Sequence, residues 1–425
     1  MDIESLKYVL KDQKESIMSQ DTGRMRSVTA KILQMVDSKE IITISGVRRC
    51  GKSTLLRQII HGLMKNGIPV ENILYVNFED ERLREFTSKD FDSMYNAYVQ
   101  LYKPKGKVFI FVDEIQNVQF WEKWAYRMRE FTSAKLFITG SNSSILKSNI
   151  SSSLTGRSII IEEYPFSFNE LIEHPDQYTR KGVSSIRETF DRYVKYGGFP
   201  EAILNNNKEI LSSYLRDIIS RDIMSRYEIR NVKEMEDFMF YLLNLYGKRF
   251  TFAKLKNIFN LGSHNTAKNF VNYAESAYLI FTVEDYSSSM SEVIRAPRKL
   301  YVIDHAIASQ VSSNPVADMG AILENIVFLE LKRRLAFDES IFYWRDEKDR
   351  EVDFIIKKAR KVERAVQVSY ELGSRKEQEV DALLKSMEKF GLAEGLVITN
   401  DYEGTEKIGR KKIIYKPAWK FLIGL

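Results

Sequence analysis

One stretch of the chain has glycine, lysine and hydroxyl side chains at the spacing of a phosphate-binding loop. GVRRCGKST, residues 46–54, lies between the apolar run IITIS and the helical pattern TLLRQIIHGLM, as the G-x-x-x-x-G-K-[ST] motif requires. Its glycines let backbone N–H groups curve around phosphates at the positive end of the following helix. Lys52 is expected to reach the β- and γ-phosphates, and the Ser53 hydroxyl to ligate Mg²⁺. The expected nucleotide contacts are Gly46, Val47, Arg48, Arg49, Cys50, Gly51, Lys52, Ser53 and Thr54.

Two adjacent carboxylates end another strongly apolar run. In VFIFVDEI, residues 108–115, five apolar residues lead into Asp113 and Glu114. An exposed acidic turn would not explain this buried approach, whereas an ATPase would use Asp113 to hold Mg²⁺ and Glu114 to polarise the attacking water. The sequence constrains the choice between ATP and GTP only weakly, since no motif that reads guanine is apparent, and the resemblance to ATPases favours ATP. The expected chemistry is therefore hydrolysis of ATP with Mg²⁺.

Two further positions could act on the terminal phosphate. LFITGSN, residues 136–142, ends a strand with Ser141 and Asn142, which would either sense the γ-phosphate and orient water or cap a following helix. Arg157, in LTGRSI, stands where AAA-type ATPases often carry an arginine finger, which stabilises charge on the γ-phosphate. An ordinary surface arginine is the alternative, since a finger requires a neighbouring subunit. The expected catalytic residues are Lys52, Glu114, Asn142 and Arg157.

The elements that must position these residues alternate between short apolar runs and helical stretches. The apolar runs are IITIS, ILYVNF, VFIFV, LFIT and SIII, which predicts a parallel sheet covered by helices on both faces. Amphipathic helices are expected before it. At 425 residues the chain is long enough for several domains. The predicted domains are an α/β core at 1–162, a helical lid or connector at 163–230, three helices with strands at 231–310, and mixed helix and strand at 311–425.

The order of motifs resembles a family of bacterial and archaeal AAA-type ATPases, related to the STAND NTPases, whose C-terminal half is a domain of unknown function. The resemblance runs nearly end to end. It is carried by GVRRCGKSTLL, YVNFED, FVDEIQNV, FITGSNSSIL, LTGR, YPFSFNEL, YGGFPEAI, LRDIISRDI, LENIVFLEL and EVDF. It implies an α/β P-loop NTPase of the AAA type, followed by a helical lid, a winged helix and a restriction-endonuclease-like α/β domain.

The pattern in residues 235–303 is typical of three helices and a β-wing. In SHNTAKNFVNYAESA the residues Ala267, Phe270, Val271 and Ala274 form one apolar stripe at helical spacing. The opposite, polar face would read base edges or touch phosphates in a DNA major groove, or the winged helix would only pack against protein. The expected DNA contacts are His264, Asn265, Lys268, Asn269, Asn272 and Arg298.

The C-terminal region looks like a restriction-endonuclease fold, in which a helix glutamate, a strand aspartate and an E-x-K pair bind metal and activate water. Glu324 and Asp353 match the first two positions, but Gln367 and Ser369 stand where the pattern has Glu and Lys. The amide weakens Mg²⁺ binding, and loss of the lysine removes the cation that assists attack. A degenerate site kept for binding or folding is therefore favoured over a nuclease.

Two alternatives remain for these acidic residues. A lysine displaced along the chain, such as Lys357 or Lys376, would restore cleavage. The two carboxylates would otherwise have a plainer role, in ion pairs with Arg345 or Arg350.

Bulk composition limits the class of protein. With 44% hydrophobic and 29% charged residues the chain is globular, and its longest apolar runs are far below the roughly 20 residues of a membrane helix. The first residues lack the apolar core of a signal peptide. The single cysteine, Cys50, excludes an internal disulfide and fits a reducing compartment. A cytoplasmic protein with no membrane contact is expected.

The motifs lead to one main functional hypothesis and two alternatives. The main one is an ATPase that uses ATP binding and hydrolysis to rearrange its winged helix and nuclease-like domain on DNA. The small excess of Lys and Arg over Asp and Glu, 64 against 58, permits this contact. A homo-oligomer is implied if Arg157 acts as a finger. The alternatives are a signalling switch that binds a protein partner and hydrolyses ATP slowly, and an ATP-dependent DNA nuclease.

Overall fold

The chain folds into two compact units, Met1–Pro165 and Phe166–Leu425. The computed structural model describes residues 1–142, 156–173, 178–287, 289–312, 318–373 and 376–424. The phosphate-binding loop and the acidic pair belong to the first unit. The polar helix face and the candidate nuclease residues belong to the second.

A parallel sheet forms the centre of the first unit. Its strands are β1 (Ile41–Ser45), β2 (Ile73–Asn77), β3 (Phe109–Asp113), β4 (Lys135–Gly140) and β5 (Ser158–Glu162). They lie in the order β2-β3-β4-β1-β5, and every pairing is parallel. The α/β fold with a parallel sheet that the apolar runs predict is therefore confirmed. β-Branched and aromatic residues fill β1 to β4 because a strand covered on both faces buries nearly every side chain, whereas β5 at the edge of the sheet is only partly buried.

Helices cover both faces of this sheet. Because side chains alternate along a strand, Ile42 and Ile44 of β1 join one core, while Ile110 and Val112 of β3 join the other. Polar side chains therefore collect where the strands end, and β1 and β3 lead into the loop and the acidic pair at the same edge. The helices are α1 (Ile3–Ser19), α2 (Val28–Gln34), α3 (Lys52–Lys65), α4 (Phe91–Tyr102) and α5 (Trp121–Phe131), with 3-10 turns at Val70–Asn72, Glu81–Leu83 and Ile115–Asn117.

The second unit begins with a mostly helical region. Side-chain caps start several of its helices: Thr251 and Ser263 each accept a hydrogen bond from the backbone N–H three residues on. The helices are α6 (Phe168–Leu171), α7 (Arg180–Tyr196), α8 (Pro200–Leu204), α9 (Ile210–Asp217) continued by a π-helical segment (Ile218–Ser225), α10 (Val232–Leu243), α11 (Phe252–Ile258), α12 (His264–Ser276), α13 (Met290–Arg295), and α14 (His305–Ala308) with a 3-10 turn at Ser309–Val311.

Two sheets complete the second unit. The antiparallel sheet contains β6 (Arg249–Phe250), β7 (Ile280–Val283) and β8 (Arg298–Val302) in the order β6-β8-β7. The mixed sheet has the order β13-β14-β12-β11-β10-β9, with strands β9 (Glu339–Arg345), β10 (Glu351–Lys358), β11 (Lys361–Ser369), β12 (Glu394–Thr399), β13 (Gly404–Ile408) and β14 (Lys411–Pro417). The accompanying helices are α15 (Met319–Arg334), α16 (Lys376–Phe390) and α17 (Ala418–Leu422).

Helix α15 joins the two sheets of the second unit. It packs against both β8 and β11, which explains why apolar residues surround most of its circumference. The Asn325 side chain accepts from the backbone N–H of Val302 at 2.8 Å and donates to its carbonyl oxygen at 3.0 Å. This contact fixes α15 beside β8, next to Glu324. No helix among the described residues is long and apolar enough to cross a membrane.

Candidate functional site

The loop between β1 and α3 is shaped to hold an anion. Arg49 and Gly51 have positive φ angles of 68° and 108°, a backbone conformation in which N–H groups form an anion-binding concavity. Gly46 has no room for a side chain, because a Cβ there would lie 2.0 Å from the Glu163 carbonyl oxygen. Helix α3 starts at Lys52 and runs for 14 residues, so its positive end faces the same space. The described backbone therefore fits the phosphates of a nucleotide.

The Lys52 side chain is 4% exposed and folds back over this loop. Its Nζ donates to the carbonyl oxygens of Gly46 and Val47 at 3.2 and 3.3 Å, and lies 3.3 Å from Glu114 Oε1. These distances are long for a charged donor, whose hydrogen bonds to anionic oxygens are about 2.7–2.9 Å. A phosphate oxygen is therefore a better acceptor for Lys52 than these two carbonyl oxygens.

Asp113 is fully buried at the end of β3, where hydroxyl groups surround it. Tyr75 on β2 donates to Asp113 Oδ2 at 3.1 Å, Thr139 on β4 donates to Oδ1, and the Ser53 hydroxyl is also hydrogen-bonded to the carboxylate. Burial and the negative charge of Glu114 raise the pKa of Asp113. Carboxylate and hydroxyl oxygens are the ligands that Mg²⁺ prefers. The two residues that the sequence assigns to Mg²⁺, Ser53 and Asp113, thus lie in contact and fit that ion.

Glu114 is held by residues of two strand ends. Its N–H donates to Thr139 Oγ1 at 3.0 Å, and the Gln116 amide donates both to its carboxylate and to Ser141 Oγ, the latter at 3.2 Å. Burial alone would raise the pKa of Glu114, but Lys52 and Gln116 outweigh it and lower the pKa. The carboxylate is therefore charged, and a charged carboxylate at this position can accept a proton from water.

The remaining predicted catalytic residues lie at opposite edges of the sheet. Ser141 and Asn142 are buried directly after β4, at the edge that carries the loop. The helix that they would cap lies outside the described residues. Arg157 precedes β5 at the other edge, where its carbonyl oxygen accepts from the Ile41 N–H at 3.0 Å and its Nε lies 3.7 Å from a Glu130 carboxylate oxygen. Within one chain the structure does not bring Arg157 to the loop.

A buried ion pair between residues outside the G-x-x-x-x-G-K-[ST] motif stabilises the phosphate-binding loop. The Arg26 guanidinium group forms an ion pair with Glu163, and it donates to the carbonyl oxygens of Cys50 at 3.2 Å and Tyr164 at 2.6 Å. Arg26 and Glu163 are 6% and 4% exposed. Burial raises the pKa of the Cys50 thiol to about 11. The contacts of Arg26 connect the loop to the chain that leaves β5.

In the second unit, Glu324 and Asp353 surround a lysine that the sequence did not single out. Lys299 Nζ lies 2.7 Å from Glu324, 2.6 Å from Glu351 and 2.7 Å from Asp353. Tyr301 donates to Glu324 Oε1 at 2.7 Å. Burial alone would lower the pKa of Lys299, but the surrounding carboxylates, Asp353 foremost, hold it well above its usual value.

The other candidate nuclease residues lie at the rim of this cluster or away from it. The Gln367 side-chain oxygen accepts from the Asp353 N–H at 3.3 Å, while the Ser369 hydroxyl donates to the Glu371 carbonyl oxygen at 3.2 Å. The alternative partners expected from the sequence are wrong. Arg345 pairs with Asp285 and Asp349, and Arg350 pairs with Asp346 and Asp381. These arginines have acidic partners close to them in space, which leaves Lys299 to neutralise the cluster.

The polar face of α12 is exposed, as its pattern predicts. Ala267, Val271 and Ala274 are buried on the opposite face. Arg298 lies on β8, where it donates to the Glu284 carboxylate at 2.8 Å. The exposed polar residues of α12 are His264, Asn265, Lys268, Asn269 and Asn272.

Sequence reasoning missed the residues that orient the acidic pair and neutralise the second cluster. Tyr75 and Thr139 carry a detectable signal, because each places a hydroxyl in an otherwise apolar strand. Lys299 carries a similar one, a charge inside the strand pattern RKLYVID. Gln116 and Arg26 lie outside the strands, and nothing in their local sequence distinguishes them from surface residues.

Three family models match the chain. One described as "AAA domain" matches residues 38–172, and two described as "Domain of unknown function" match 187–317 (DUF8612) and 319–419 (DUF4143). Among solved structures, the Aeropyrum pernix ORC1 protein in complex with DNA is 11% identical, with 71% of this chain and 96% of that chain covered and a TM-score of 0.29. AMPPCP-bound DnaA from Aquifex aeolicus is 14% identical, with 58% and 86% covered and a TM-score of 0.26. At these TM-scores the two similarities carry no argument.

Two relatives match nearly from end to end. An uncharacterized protein of Haemophilus influenzae is 28% identical over 397 residues, with 92% of this chain and 96% of the relative covered. An uncharacterized protein of Methanocaldococcus jannaschii is 35% identical over 410 residues, with 92% of this chain and 89% of the relative covered. The chain therefore belongs to the family of this archaeal protein, and within it an AAA domain precedes two domains of unknown function.

Proposed function

We propose that this chain hydrolyses ATP with Mg²⁺ at the carboxyl edge of its parallel sheet. One observation carries the proposal: Lys52 lies 3.3 Å from Glu114, and beside them the Ser53 hydroxyl is hydrogen-bonded to Asp113. A phosphate-binding lysine, a metal-binding pair and a charged carboxylate are the groups that hydrolysis of a nucleoside triphosphate needs. The AAA domain match spans all four residues and supports the same activity.

Each side chain has a separate role in the proposed reaction. Lys52 exchanges its carbonyl acceptors for oxygens of the β- and γ-phosphates, which frees Glu114 from its ion pair. Glu114 then orients water and accepts its proton, while Gln116 holds the carboxylate in position. Ser53 and Asp113 would hold Mg²⁺, which would supply positive charge beside the phosphates.

Two substitutions separate binding from hydrolysis. Lys52→Ala should abolish hydrolysis, because the phosphates lose their buried cation. Glu114→Gln should bind ATP normally in calorimetry but release phosphate at least about 100-fold more slowly, because an amide does not accept the proton. The control variants Lys7→Ala and Glu4→Gln alter an exposed ion pair of α1 and should keep the wild-type rate. Hydrolysis by Glu114→Gln at the wild-type rate would remove Glu114 from its assigned role.

We infer that Arg157 acts on the site of a neighbouring copy. Ser158 pairs with Ile41 at one end of β1, whereas the loop follows Ser45 at the other end. Four residues of strand, about 13 Å, therefore separate Arg157 from the loop of its own chain. An arginine in this place can stabilise the γ-phosphate only from another subunit.

A mixing experiment tests this arrangement. Arg157→Ala and Lys52→Ala should each be inactive alone, and mixing them should restore hydrolysis, because Lys52→Ala subunits still supply Arg157. The control mixture contains Arg157→Ala and the double variant Lys52→Ala/Arg157→Ala; it keeps intact Lys52 sites but has Arg157 in no subunit, and it should stay inactive. Arg157→Ala with the wild-type rate would identify Arg157 as an ordinary surface arginine.

We also propose that nucleotide state controls a DNA-binding second unit. Helices α10 to α12 with the antiparallel sheet support a winged helix. The mixed sheet, with Glu324 on α15 and Asp353 on β10, supports a restriction-endonuclease-like fold. The exposed polar face of α12, which includes Lys268 and Asn269, supports contact with a DNA groove.

Fluorescence anisotropy with a labelled DNA duplex tests the DNA proposal. Lys268→Ala should weaken binding and reduce the slope of log K against log salt concentration by about 1, because one phosphate contact is lost. Lys65→Ala, at the exposed end of α3, is the matched control and should bind as the wild type does. No DNA affinity with or without ATP would remove the DNA proposal and favour the protein-binding switch. Pull-down of one stoichiometric protein that resists nuclease treatment would then support that switch.

A further inference from the structure

The carboxylate cluster of the second unit is centred on a lysine ammonium group. Lys299 Nζ lies 2.6–2.7 Å from one oxygen each of Glu324, Glu351 and Asp353. An ammonium group has three N–H donors, so these three carboxylates use its whole hydrogen-bonding capacity. The side chain is 2% exposed. Lys299 is thus saturated by the cluster.

The lysine and the carboxylates come from different parts of the unit. Glu324 lies on α15, and Glu351 and Asp353 lie on β10 of the mixed sheet, whereas Lys299 lies on β8 of the antiparallel sheet. Two residues along β8, the buried Tyr301 ring hydrogen-bonds to Glu324 and so covers the same cluster. One strand therefore supplies both the cation and a hydroxyl donor to the acidic residues, of which Glu351 keeps 23% of its side chain exposed.

The ammonium group stands where a divalent cation would stand in such a set of oxygens. Ca²⁺ binds oxygens at about 2.3–2.6 Å and Mg²⁺ at about 2.0–2.1 Å, so the oxygens around Lys299 are spaced for an ion slightly larger than either. In the part of the chain that the structure describes, no group of three or more His, Cys, Asp or Glu side chains is arranged to hold a metal ion. The carboxylates keep the separation that the ammonium group imposes.

We propose that Lys299 is the resident cation of this cluster, in place of a divalent metal ion, and that it locks the C-terminal region in a form without metal-dependent cleavage. Without a cation, these closely spaced carboxylates would repel one another, so the cluster would lose stability or take up protons. A metal ion could enter only by expelling a buried lysine. A lysine with all three donors occupied cannot assist attack on a phosphodiester, so Lys299 does not restore the nuclease motif.

Replacement of the Lys299 ammonium group by added Ca²⁺ or Mg²⁺ tests the proposal. In the full-length protein without nucleotide, Ca²⁺ should leave the melting temperature of the second unit unchanged. Lys299→Met removes the charge at nearly constant volume, so this variant should melt lower and should then bind Ca²⁺. Ca²⁺ at 100 times its Kd should raise the melting temperature of Lys299→Met by about 5–10 °C. Mg²⁺ should raise it less, because the oxygens would have to move further inward.

Two control variants identify where the added cation binds. Lys299→Met/Asp353→Asn should lose the Ca²⁺ response, because one of the three carboxylates is neutral. Lys135→Met removes another buried lysine, whose Nζ is bonded to the Ser38 and Glu40 carbonyl oxygens and the Ser38 hydroxyl. Since no carboxylate surrounds Lys135, that variant should gain no Ca²⁺ response.

Three results would overturn the proposal. One is a folded Lys299→Met variant that ignores Ca²⁺. Another is calorimetric Ca²⁺ binding, or metal-dependent DNA cleavage, by the wild type that disappears in Asp353→Asn. The third result concerns the case in which Lys299→Met does not fold, and it is obtained with the triple variant Lys299→Met/Glu351→Gln/Asp353→Asn. It should be more stable than Lys299→Met, and equal instability of the two would show that the ammonium group does not serve as counter-ion to these carboxylates.

Discussion

Removal of the Arg26 guanidinium group should open the phosphate-binding loop, by an amount that depends on pH. Arg26 holds the Cys50 and Tyr164 carbonyl oxygens and pairs with Glu163, and both charged side chains are buried. Arg26→Met keeps most of the apolar stem but removes the cation that pairs with the buried Glu163 carboxylate. Breaking a buried ion pair from one side costs about 3–5 kcal/mol.

The pH dependence arises from the proton that Glu163 can take up once Arg26 is gone. A glutamate in an unfolded chain has a pKa of about 4.3, so protonating it costs about 3.7 kcal/mol at pH 7 and about 1 kcal/mol at pH 5. Protonation therefore limits the electrostatic part of the penalty, to which the lost hydrogen bonds add about 1 kcal/mol each. The folded variant binds a proton that the unfolded chain releases above pH 4.3. Its stability relative to the wild type should thus fall as the pH rises from 5 to 7.

The reactivity of the Cys50 thiol measures the opening of the phosphate-binding loop directly. Cys50 is the single cysteine of the chain, its side chain is buried, and its carbonyl oxygen accepts from Arg26. The rate of labelling by 4,4′-dithiodipyridine, divided by the rate for the urea-unfolded chain, gives the population of the open form. The electrostatic penalty therefore predicts labelling faster than wild type by up to about 500-fold at pH 7 and up to about fivefold at pH 5.

Two variants control the experiment. Arg82→Met removes an arginine of the same unit whose partners, Asp12 and Asp80, form an exposed network. Such pairs contribute at most about 1 kcal/mol, so Cys50 labelling should stay close to that of the wild type. Arg26→Met/Glu163→Gln removes both charges and should recover most of the loss at pH 7. The reasoning is refuted if Arg26→Met is labelled no faster than Arg82→Met, or if its acceleration does not shrink between pH 7 and pH 5.

Three further predictions concern the same loop and strand ends. Thr139→Val removes the hydroxyl between Asp113 and Glu114 and should lower kcat in a phosphate-release assay by about 10- to 100-fold; an unchanged kcat would contradict its positioning role. Gly46→Ala should lower the melting temperature of the first unit far more than Gly262→Ala lowers that of the second. The added Cβ would meet the Glu163 carbonyl oxygen at the first position but open space at the other. Because burial raises the pKa of Cys50 to about 11, the native thiol should not react with DTNB at pH 8 until urea unfolds the chain.

The parts of the fold that the sequence predicts are those whose causes are local. IITIS, ILYVNF, VFIFV, LFIT and SIII are mostly apolar, which is typical of strands in a parallel sheet covered by helices. The loop is predictable for the same reason, since its turn, lysine and hydroxyl are adjacent in the chain. The strand order β2-β3-β4-β1-β5 follows from no local pattern, because each neighbour is chosen by tertiary packing.

The orientation of the acidic pair could be predicted only in part. A strand that ends in two carboxylates indicates their edge of the sheet. It does not indicate which residue of β2 or β4 faces them, because that depends on the register of strands distant in sequence. Tyr75 and Thr139 reach Asp113 because Tyr75 pairs with Phe111 in register, and Thr139 directly follows Ile138, the partner of Val112. A hydroxyl group in an otherwise apolar strand therefore indicates a candidate hydrogen-bond partner for a carboxylate. The register of the strands shows which carboxylate it contacts.

For the cluster around Lys299, the sequence identifies two of the acidic residues but assigns them the wrong basic partners. Nearby arginines in the sequence suggested local partners for Glu324 and Asp353, yet the counter-ion lies 54 residues from Asp353. The alternation of side chains along β8 indicates the partner. Lys299 and Tyr301 are two residues apart, so they project to the same face of the strand. A lysine on an inward face needs oxygen acceptors there, either carboxylates as around Lys299 or carbonyl oxygens as around Lys135. In an RKLYVID strand, the lysine itself therefore predicts a buried set of oxygen acceptors, and the search for its partners should begin from the base rather than from the acids.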